Sequence, residues 1–563
     1  MEQKEEIAQK LLLGFDDLDL AIMHKFWLRN AGLKTVADIV RHTEADFKKK
    51  FGHRTVLNVK DILTSMNLTF GMDVGAYIEE PPKESFLYKI TSAIIGGAIG
   101  DALGVPYEFK KRDTFKATDM IGGGTHNQPV GTWSDDTSLT LCLMENIVEG
   151  GDCDALMRKF SDWHKNGYMT PHGKCFDDGH TTFAAIKVFG KGTPANQCGQ
   201  SGEDDNGNGS LMRIAPVALM NIENYSLGSR LENIKKYSSI THAHPRAVLG
   251  CILYSEYLRL VYFWKSKDVT GILCDIAHSP RFGGIYDWMP ECQSEFSHYK
   301  RILEGDIYKL KRDDIQSDGY VVHTLEAALW CFLKNDNFKD TILEAVNLGG
   351  DTDTTAIVAG SMAGLYYGLN DDKGIPMEWR RSLAKREGIY KLCHRFYTKI
   401  TQGTFTDQRD GRTYKTVKID DMIWFAENFN YEGEGKYDFE TANKICPEGW
   451  HLPSFAEWNG LIEYVCHTGE KSLDFYFTKD TDEVVGIYLK AKEGWKDYYG
   501  KSINGEDSFG FAALPGGSFW WSATKCTDEN LVWTFSLSDD SDEVERYNTW
   551  LGDKLSVRYV KDE

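Results

Sequence analysis

Two short stretches of this sequence concentrate oxygen ligands in a pattern that points to cation chemistry. Gly131-Thr132-Trp133-Ser134-Asp135-Asp136-Thr137 places a hydroxyl and two carboxylates on one turn, ahead of a helix expected to begin near Ser138. Gly349-Gly350-Asp351-Thr352-Asp353-Thr354-Thr355 leads into a small-residue helix through Ala356, Ala359, Gly360, Ala363 and Gly364. Acids and hydroxyls at a helix start also serve as N-caps, and for either stretch alone capping is a sufficient account. In the second, Gly349 and Gly350 free the backbone before an Asp-x-Asp-Thr run, where so many oxygens in one turn repel each other unless a cation lies among them. Together Asp135, Asp136, Asp351 and Asp353 come with several hydroxyls and no Cys or His pattern suited to zinc, so magnesium or manganese is the expected occupant.

A third stretch, Gly207-Asn208-Gly209-Ser210-Leu211-Met212-Arg213, precedes a helix, and its backbone N–H groups are suited to cradling a pyrophosphate. Arg213 either joins that cradle or ties the loop down through a buried carboxylate. His242 and His244, in Thr241-His242-Ala243-His244-Pro245, either flank a substrate or are packed structural residues.

Helices and turns must position these groups. Apolar residues recur at helical spacing in Leu139 to Val148, Ala247 to Tyr262, Thr324 to Leu333 and Thr341 to Val346, with Gly- and Asp-rich turns between them. Residues 86–400 therefore read as a mostly helical domain whose functional groups sit at helix ends and loops. Residues 1–78 read as a compact module of short helices, with a positive face from Lys48, Lys49, Lys50, Arg54 and Lys60. Glu79-Glu80-Pro81-Pro82-Lys83-Glu84 marks a stiff linker over 79–85. Residues 401–563 change character to Trp, Tyr, Val and Thr with many turns, and Tyr414 to Ile419 and Leu531 to Leu537 read as strands.

A length of 563 residues favours several domains, and 42% hydrophobic with 26% charged residues is ordinary folded composition. The net charge of -20 disfavours nucleic acid and anionic membrane as default partners. Twelve scattered cysteines suit reduced thiols in a cytoplasm. The start, Met1 to Leu20, lacks the pattern of a secretory signal. No stretch is long enough to span a bilayer: the best apolar run, Ile94 to Val105, holds Asp101 and Gly96, Gly97, Gly100 and Gly104, and reads as a buried helix and turn.

Ile95-Gly96-Gly97-Ala98-Ile99-Gly100-Asp101-Ala102-Leu103-Gly104-Val105-Pro106-Tyr107-Glu108, followed by the Ser-Asp-Asp-Thr, Gly207–Arg213, Thr241–Pro245 and Gly-Gly-Asp-Thr-Asp-Thr stretches in that order, resembles the ADP-ribosylglycohydrolase family. The resemblance implies an all-α bundle with two divalent cations, magnesium or manganese, held by Ser134, Asp135, Asp136, Asp351, Asp353 and Thr354. It also implies removal of ADP-ribose from a modified protein side chain, arginine slightly preferred, with ADP-ribose as product. Nucleic-acid or small-molecule ADP-ribosides, or binding without catalysis, are the alternatives. In this reading Asp353 bridges the ions, and Glu108, on a mobile loop, or a ligand Asp takes a proton from water. Asp177, in Cys175-Phe176-Asp177-Asp178-Gly179-His180-Thr181-Thr182, acts on the ribose or acceptor, although Asp178 stands where the family often has Ile. Gly207, Asn208, Gly209, Ser210, Leu211, Met212, Arg213, His242, His244, Gly349 and Gly350 complete the expected substrate site.

The flanks carry resemblances of their own. Ala31-Gly32-Leu33-Lys34-Thr35-Val36-Ala37-Asp38, Thr43-Glu44, Phe51-Gly52 and Asn67-Leu68-Thr69-Phe70-Gly71-Met72 resemble the carboxy-terminal domain of the bacterial RNA polymerase α subunit, which implies a helix-hairpin-helix-like module contacting protein or nucleic acid. Asp410-Gly411-Arg412-Thr413-Tyr414-Lys415-Thr416-Val417, Trp424-Phe425-Ala426-Glu427-Asn428, Cys446-Pro447-Glu448-Gly449-Trp450-His451-Leu452-Pro453-Ser454 and Ser556-Val557-Arg558-Tyr559-Val560-Lys561 resemble the Fibrobacter succinogenes major paralogous domain, implying an α+β, C-type-lectin-like fold.

Overall fold

The computed structural model describes residue 28 and residues 36–41, 44–51, 53–66, 68–70 and 86–562, apart from 225, 279–283, 305–306, 370–372, 421, 434, 469–484, 497–501, 517 and 540–541. The expected linker over 79–85 lies outside the described residues. The chain divides into two compact units, one of Met1–Glu84 with Arg259–Val269 and the other of Ser85–Leu258 with Thr270–Glu563.

In the first unit the helices Val36–Arg41, Glu44–Phe51 and His53–Ser65 follow one another closely. Their apolar faces bury Val36, Ile39, Val40, Phe47, Val56, Val59 and Leu63. Lys60, placed by the sequence on the positive face, pairs with Glu44 at 2.7 Å, whereas Lys48 and Lys49 are exposed.

Residues 86–401 of the second unit are helical, with no strand among the described residues. Two helices organise them, Phe86–Gly104 and Thr352–Tyr367. Both are apolar and enclosed on nearly all sides, as a helix at the centre of a bundle must be. They cross backbone against backbone because the facing residues are small. A Cβ on Gly100 would lie 2.1 Å from the Ala356 carbonyl oxygen, one on Gly104 2.3 Å from Asp353 Cα, and one on Gly360 2.3 Å from the Gly96 carbonyl oxygen. This crossing sets Asp101 beside Asp353. One expectation is corrected: Phe86–Tyr107 is long and apolar enough by length and composition to cross a membrane, and its most apolar 18-residue stretch is 89% buried inside the protein, so the reading as a buried helix stands.

A second correction concerns the Ser-Asp-Asp helix, which runs Asp135–Glu149 and so starts before Ser138. Ser134 is its N-cap, with Oγ accepting from the Asp136 backbone N–H at 3.3 Å. Both acids thereby fall in the first turn, where the helix dipole favours them. The helices Pro245–Trp264, Val321–Lys334 and Phe338–Asn347 appear where periodicity placed them.

The helix Arg386–Thr401 continues without a break into β1 (Gln402–Thr406). An antiparallel sheet follows with β2 (Thr413–Ile419), β3 (Met422–Phe425) and β7 (Val560–Asp562) in the order β1-β2-β3-β7. A second antiparallel sheet holds β4 (Phe519–Lys525), β5 (Leu531–Leu537) and β6 (Val544–Trp550). Phe425, Phe429, Trp450, Trp521 and Tyr559 share the core of this region. Thr398 Oγ1 donates to the Ser508 carbonyl at 2.5 Å and the Tyr397 hydroxyl to the Lys418 carbonyl at 2.8 Å, so the helix is hydrogen-bonded to the first sheet and to the turn at Ser508.

Candidate active site

Asp101, in the last turn of an apolar helix, organises the first acidic turn. Its Oδ1 accepts from the Ser134 N–H at 2.9 Å, and its Oδ2 from the Thr137 N–H and hydroxyl at 3.0 and 2.6 Å. The second acidic turn comes from the facing helix. Thr354 Oγ1 donates to Asp136 Oδ1 at 3.3 Å, while Asp136 Oδ2 is buried without a hydrogen-bond partner among the described residues. Oxygens of Asp101, Asp136 and Asp353 lie within 4.8 Å of one another, as do those of Glu108, Asp351 and Asp353. Asp353 is common to both groups. A buried carboxylate oxygen with no donor is costly, and a divalent cation is the partner this donor set suits.

The electrostatics agree. Burial, reinforced by neighbouring carboxylates, pushes Asp135, Asp136 and Asp353 well above the usual carboxylate range. Burial also raises Asp101 to about 6 against its three hydrogen bonds. Glu108 rises to about 7, first through burial; the hydrogen bond from His126 opposes the shift and the charges of Asp177 and Asp351 add to it. Cations among these groups would relieve both the burial penalty and the repulsion.

Glu108 is 5% exposed and belongs to a turn fastened from several sides. His126 Nε2 contacts its Oε2, and Thr125 Oγ1 donates to its carbonyl at 2.7 Å. The Phe109 N–H donates to the Gly350 carbonyl at 2.7 Å and the Gly350 N–H to the Lys110 carbonyl at 2.8 Å. These bonds explain Gly349 and Gly350, expected among the substrate-binding residues. Both have positive φ, and a Cβ would lie 2.6 Å from Arg112 N at Gly349 and 2.3 Å from the Ser317 carbonyl oxygen at Gly350. Their place is against the protein's own backbone, where they join the Glu108 turn to Asp351. Arg112 closes the same junction by donating to the carbonyls of Leu348, Arg312 and Ile315 at 2.8, 2.8 and 2.6 Å.

Asp177 is half-buried, and one of its oxygens lies within 4.8 Å of ligand atoms of Glu108 and His126. Burial raises its pKa, with His126 opposing. Asp178 turns outward and pairs with His164 at 3.0 Å.

The 207–213 loop is held from behind. Asn208 Nδ2 donates to Thr324 Oγ1 at 2.9 Å and to Asp351 Oδ2 at 2.8 Å, which links the loop to the acidic turn. Gly207 and Gly209 approach His242, and a Cβ on Gly209 would lie 2.7 Å from its Cε1. Ser210 and Leu211 are fully buried and Met212 nearly so. Arg213 is 1% exposed and donates to the Gly209 carbonyl, to Tyr237 O at 3.2 Å and to Thr241 Oγ1 at 2.9 Å. It therefore ties the loop down, as one reading had it, through carbonyls and a hydroxyl instead of a carboxylate. His242 is 2% exposed, and burial with the Arg213 charge lowers its pKa to about 3, leaving a neutral ring bonded to Thr241 Oγ1 at 2.8 Å. His244 Nε2 lies 3.4 Å from Glu203. The side chains of Leu211, Arg213 and His242 are thus committed to packing, the second of the alternatives for Arg213 and His242, and leave the backbone of the loop as what it offers a ligand.

Asp101, Arg112 and His126 escaped the sequence reading of the site. A lone acid inside an apolar helical run is the signal that Asp101 offered. His126 follows Gly122-Gly123-Gly124, and a Cβ on Gly124 would lie 2.0 Å from the Pro106 carbonyl oxygen, beside Glu108.

Residues 82–404, more than half of the chain, match the family model described as ADP-ribosylglycohydrolase, and residues 435–561 match the Fibrobacter succinogenes major domain. The chain is similar to the ADP-ribosylarginine hydrolase Tri1 of Pseudomonas putida (strain GB-1), 32% identical over 391 residues that cover 66% of this chain and 96% of the relative. It is 33% identical over 326 residues to the ADP-ribosylarginine hydrolase Tri1 of Serratia proteamaculans (strain 568), covering 58% and 83%. With the ADP-ribosyl-[dinitrogen reductase] glycohydrolase of Rhodospirillum rubrum it shares 29% identity over 307 residues, covering 52% and 90%.

Proposed function

The chain belongs to the ADP-ribosylglycohydrolase family, and from that membership we propose that it hydrolyses the glycosidic bond between ADP-ribose and a protein side chain, arginine by preference. The observation that carries the reading is the convergence of Glu108, Asp101, Asp136, Asp351 and Asp353 from three helices and two turns, with Asp136 Oδ2 unpartnered among the described residues. The arginine preference rests on the relatives from Pseudomonas putida and Serratia proteamaculans.

Breaking the bond at the anomeric carbon develops oxocarbenium-like positive charge on the ribose, which surrounding carboxylates stabilise. Bound divalent cations, magnesium or manganese, would supply Lewis-acid polarisation there. Ser134, Asp135, Asp136, Asp351, Asp353 and Thr354 are the residues that would hold them, with Asp353 between the two groups. Glu108, kept in place by His126, receives the proton of the attacking water at its carboxylate. Asp177 orients the ribose or the acceptor. The backbone of the 207–213 loop, linked to Asp351 through Asn208, receives the pyrophosphate.

The flanking regions are read as recognition modules. The amino-terminal helices support a docking role toward protein or nucleic acid, and the paired small sheets with the helices Phe439–Lys444 and Phe455–Thr468 support a C-type-lectin-like module. The described cysteines are free thiols, which supports a reducing, cytoplasmic setting. The test is release of ADP-ribose from arginine-linked and serine-linked substrates, with magnesium, manganese or chelator. Cation-dependent release that is lost in Asp351→Asn and Asp353→Asn is expected. A folded protein that binds divalent cations and releases nothing from either substrate would overturn the reading.

A further inference from the structure

Phe109 follows the candidate catalytic Glu108 directly and is 68% exposed. Its backbone φ is +63°, the left-handed region that a bulky residue adopts at a cost unless its surroundings impose it. The imposition is visible: the Phe109 N–H donates to the Gly350 carbonyl at 2.7 Å, with Gly349 and Gly350 themselves in positive φ. Strained backbone that displays an aromatic ring to solvent gains little from packing, so the ring calls for another use.

The surroundings indicate which. The His126 ring lies 6.1 Å from the Phe109 ring and 5.3 Å from that of Phe176, so the ring that contacts the Glu108 carboxylate also neighbours both phenyl groups. Asp177, next to Phe176, comes within 4.8 Å of both Glu108 and His126. Aromatic faces beside carboxylates attract planar cations, and a guanidinium both stacks on a ring and pairs with a carboxylate.

We propose that Phe109, with the neighbouring His126 ring and with Phe176 and Asp177 gathered at that histidine, forms the acceptor subsite and selects a guanidinium as the leaving group. The inference rests on the hydrolase reading and assigns its linkage preference to named residues. Glu108 serves the scissile bond, so its exposed neighbour on the same turn lies where the leaving side chain departs.

The test uses the full chain with manganese, ADP-ribosyl-arginine, a serine-linked ADP-ribosyl peptide, and the variants Phe109→Ala and Phe109→Tyr. Phe109→Ala is expected to lower kcat/KM for the arginine-linked substrate about tenfold, as loss of a partly desolvated cation–π contact would. Phe109→Tyr should retain the wild-type value, since its ring still stacks. ADP-ribose affinity, read by calorimetry, and turnover of the serine-linked peptide should not change. Wild-type kcat/KM in Phe109→Ala overturns the inference, and so does an equal loss of ADP-ribose affinity, which would put the ring against the nucleotide. Those outcomes, and a wild-type protein active only on the serine-linked peptide, leave the hydrolase reading standing, whereas a wild-type protein inactive on both substrates removes both.

Discussion

The buried, neutral His242 makes the stability of the helical domain pH-dependent in a way that can be isolated. Its ring is enclosed behind Gly209, and its pKa falls from 6.5 to about 3 through burial and the neighbouring Arg213 charge. A histidine whose folded pKa is depressed contributes its full stability above the unfolded pKa and loses it as pH falls toward the folded one. From about pH 8 to about pH 5 the loss amounts to roughly 2 kcal/mol, at ~1.4 kcal/mol for each pH unit below 6.5. At 2% exposure, solvent screening takes little from that figure. The carboxylates of the acidic site titrate in the opposite sense, so wild-type stability alone does not report the histidine. His242→Gln removes the titration while keeping a donor and acceptor near Thr241. Urea unfolding of both proteins at the two pH values, followed by far-ultraviolet circular dichroism, should show the variant gaining about 2 kcal/mol relative to wild type at the lower pH. A stability difference that stays the same at both values would refute the claim that His242 is held neutral.

The acidic site predicts a contrasting response. In chelator, Glu108 is raised from 4.5 to about 7 chiefly by burial, so the stability it contributes at low pH is lost as pH rises through that window. Thermal unfolding should therefore show metal-free protein weakening toward neutral pH, and saturating magnesium or manganese restoring stability there most strongly. At the helix crossing, Gly100→Val would press a side chain into the Ala356 carbonyl, 2.1 Å from even a Cβ, and should cost about 3 kcal/mol or more in denaturant unfolding. His126→Ala should lower kcat for ADP-ribosyl-arginine, and His126→Gln, which retains a donor toward Glu108, should recover part of the rate. An equal loss in both variants would argue against a positioning role.

Much of the site was legible in the sequence because its chemistry is local. Ser134-Asp135-Asp136 and Asp351-Thr352-Asp353-Thr354 each place several oxygens within one helical turn, a density that capping alone does not require, and the helix periods around them are strong. The strands at Tyr414 to Ile419 and Leu531 to Leu537 likewise carry their pattern in adjacent residues. Other features depend on residues far apart in the chain. Nothing local says that Gly100 and Gly104 are spent on the helix bearing Asp353, and that close crossing turns the lone Asp101 of an apolar run into the acceptor that holds the Ser134–Thr137 turn. Arg213 and His242 have residue types suited to a ligand, yet burial leaves the first bonded to carbonyls and the second neutral. His126, separated from Glu108 by a glycine loop, becomes its partner only after that loop folds back on Pro106. The sequence by itself determined which groups this protein brings to a reaction, since side-chain chemistry is set residue by residue. Only the tertiary structure decided which of them meet and which are buried, because close approach, desolvation and mutual repulsion arise between segments the chain order keeps apart.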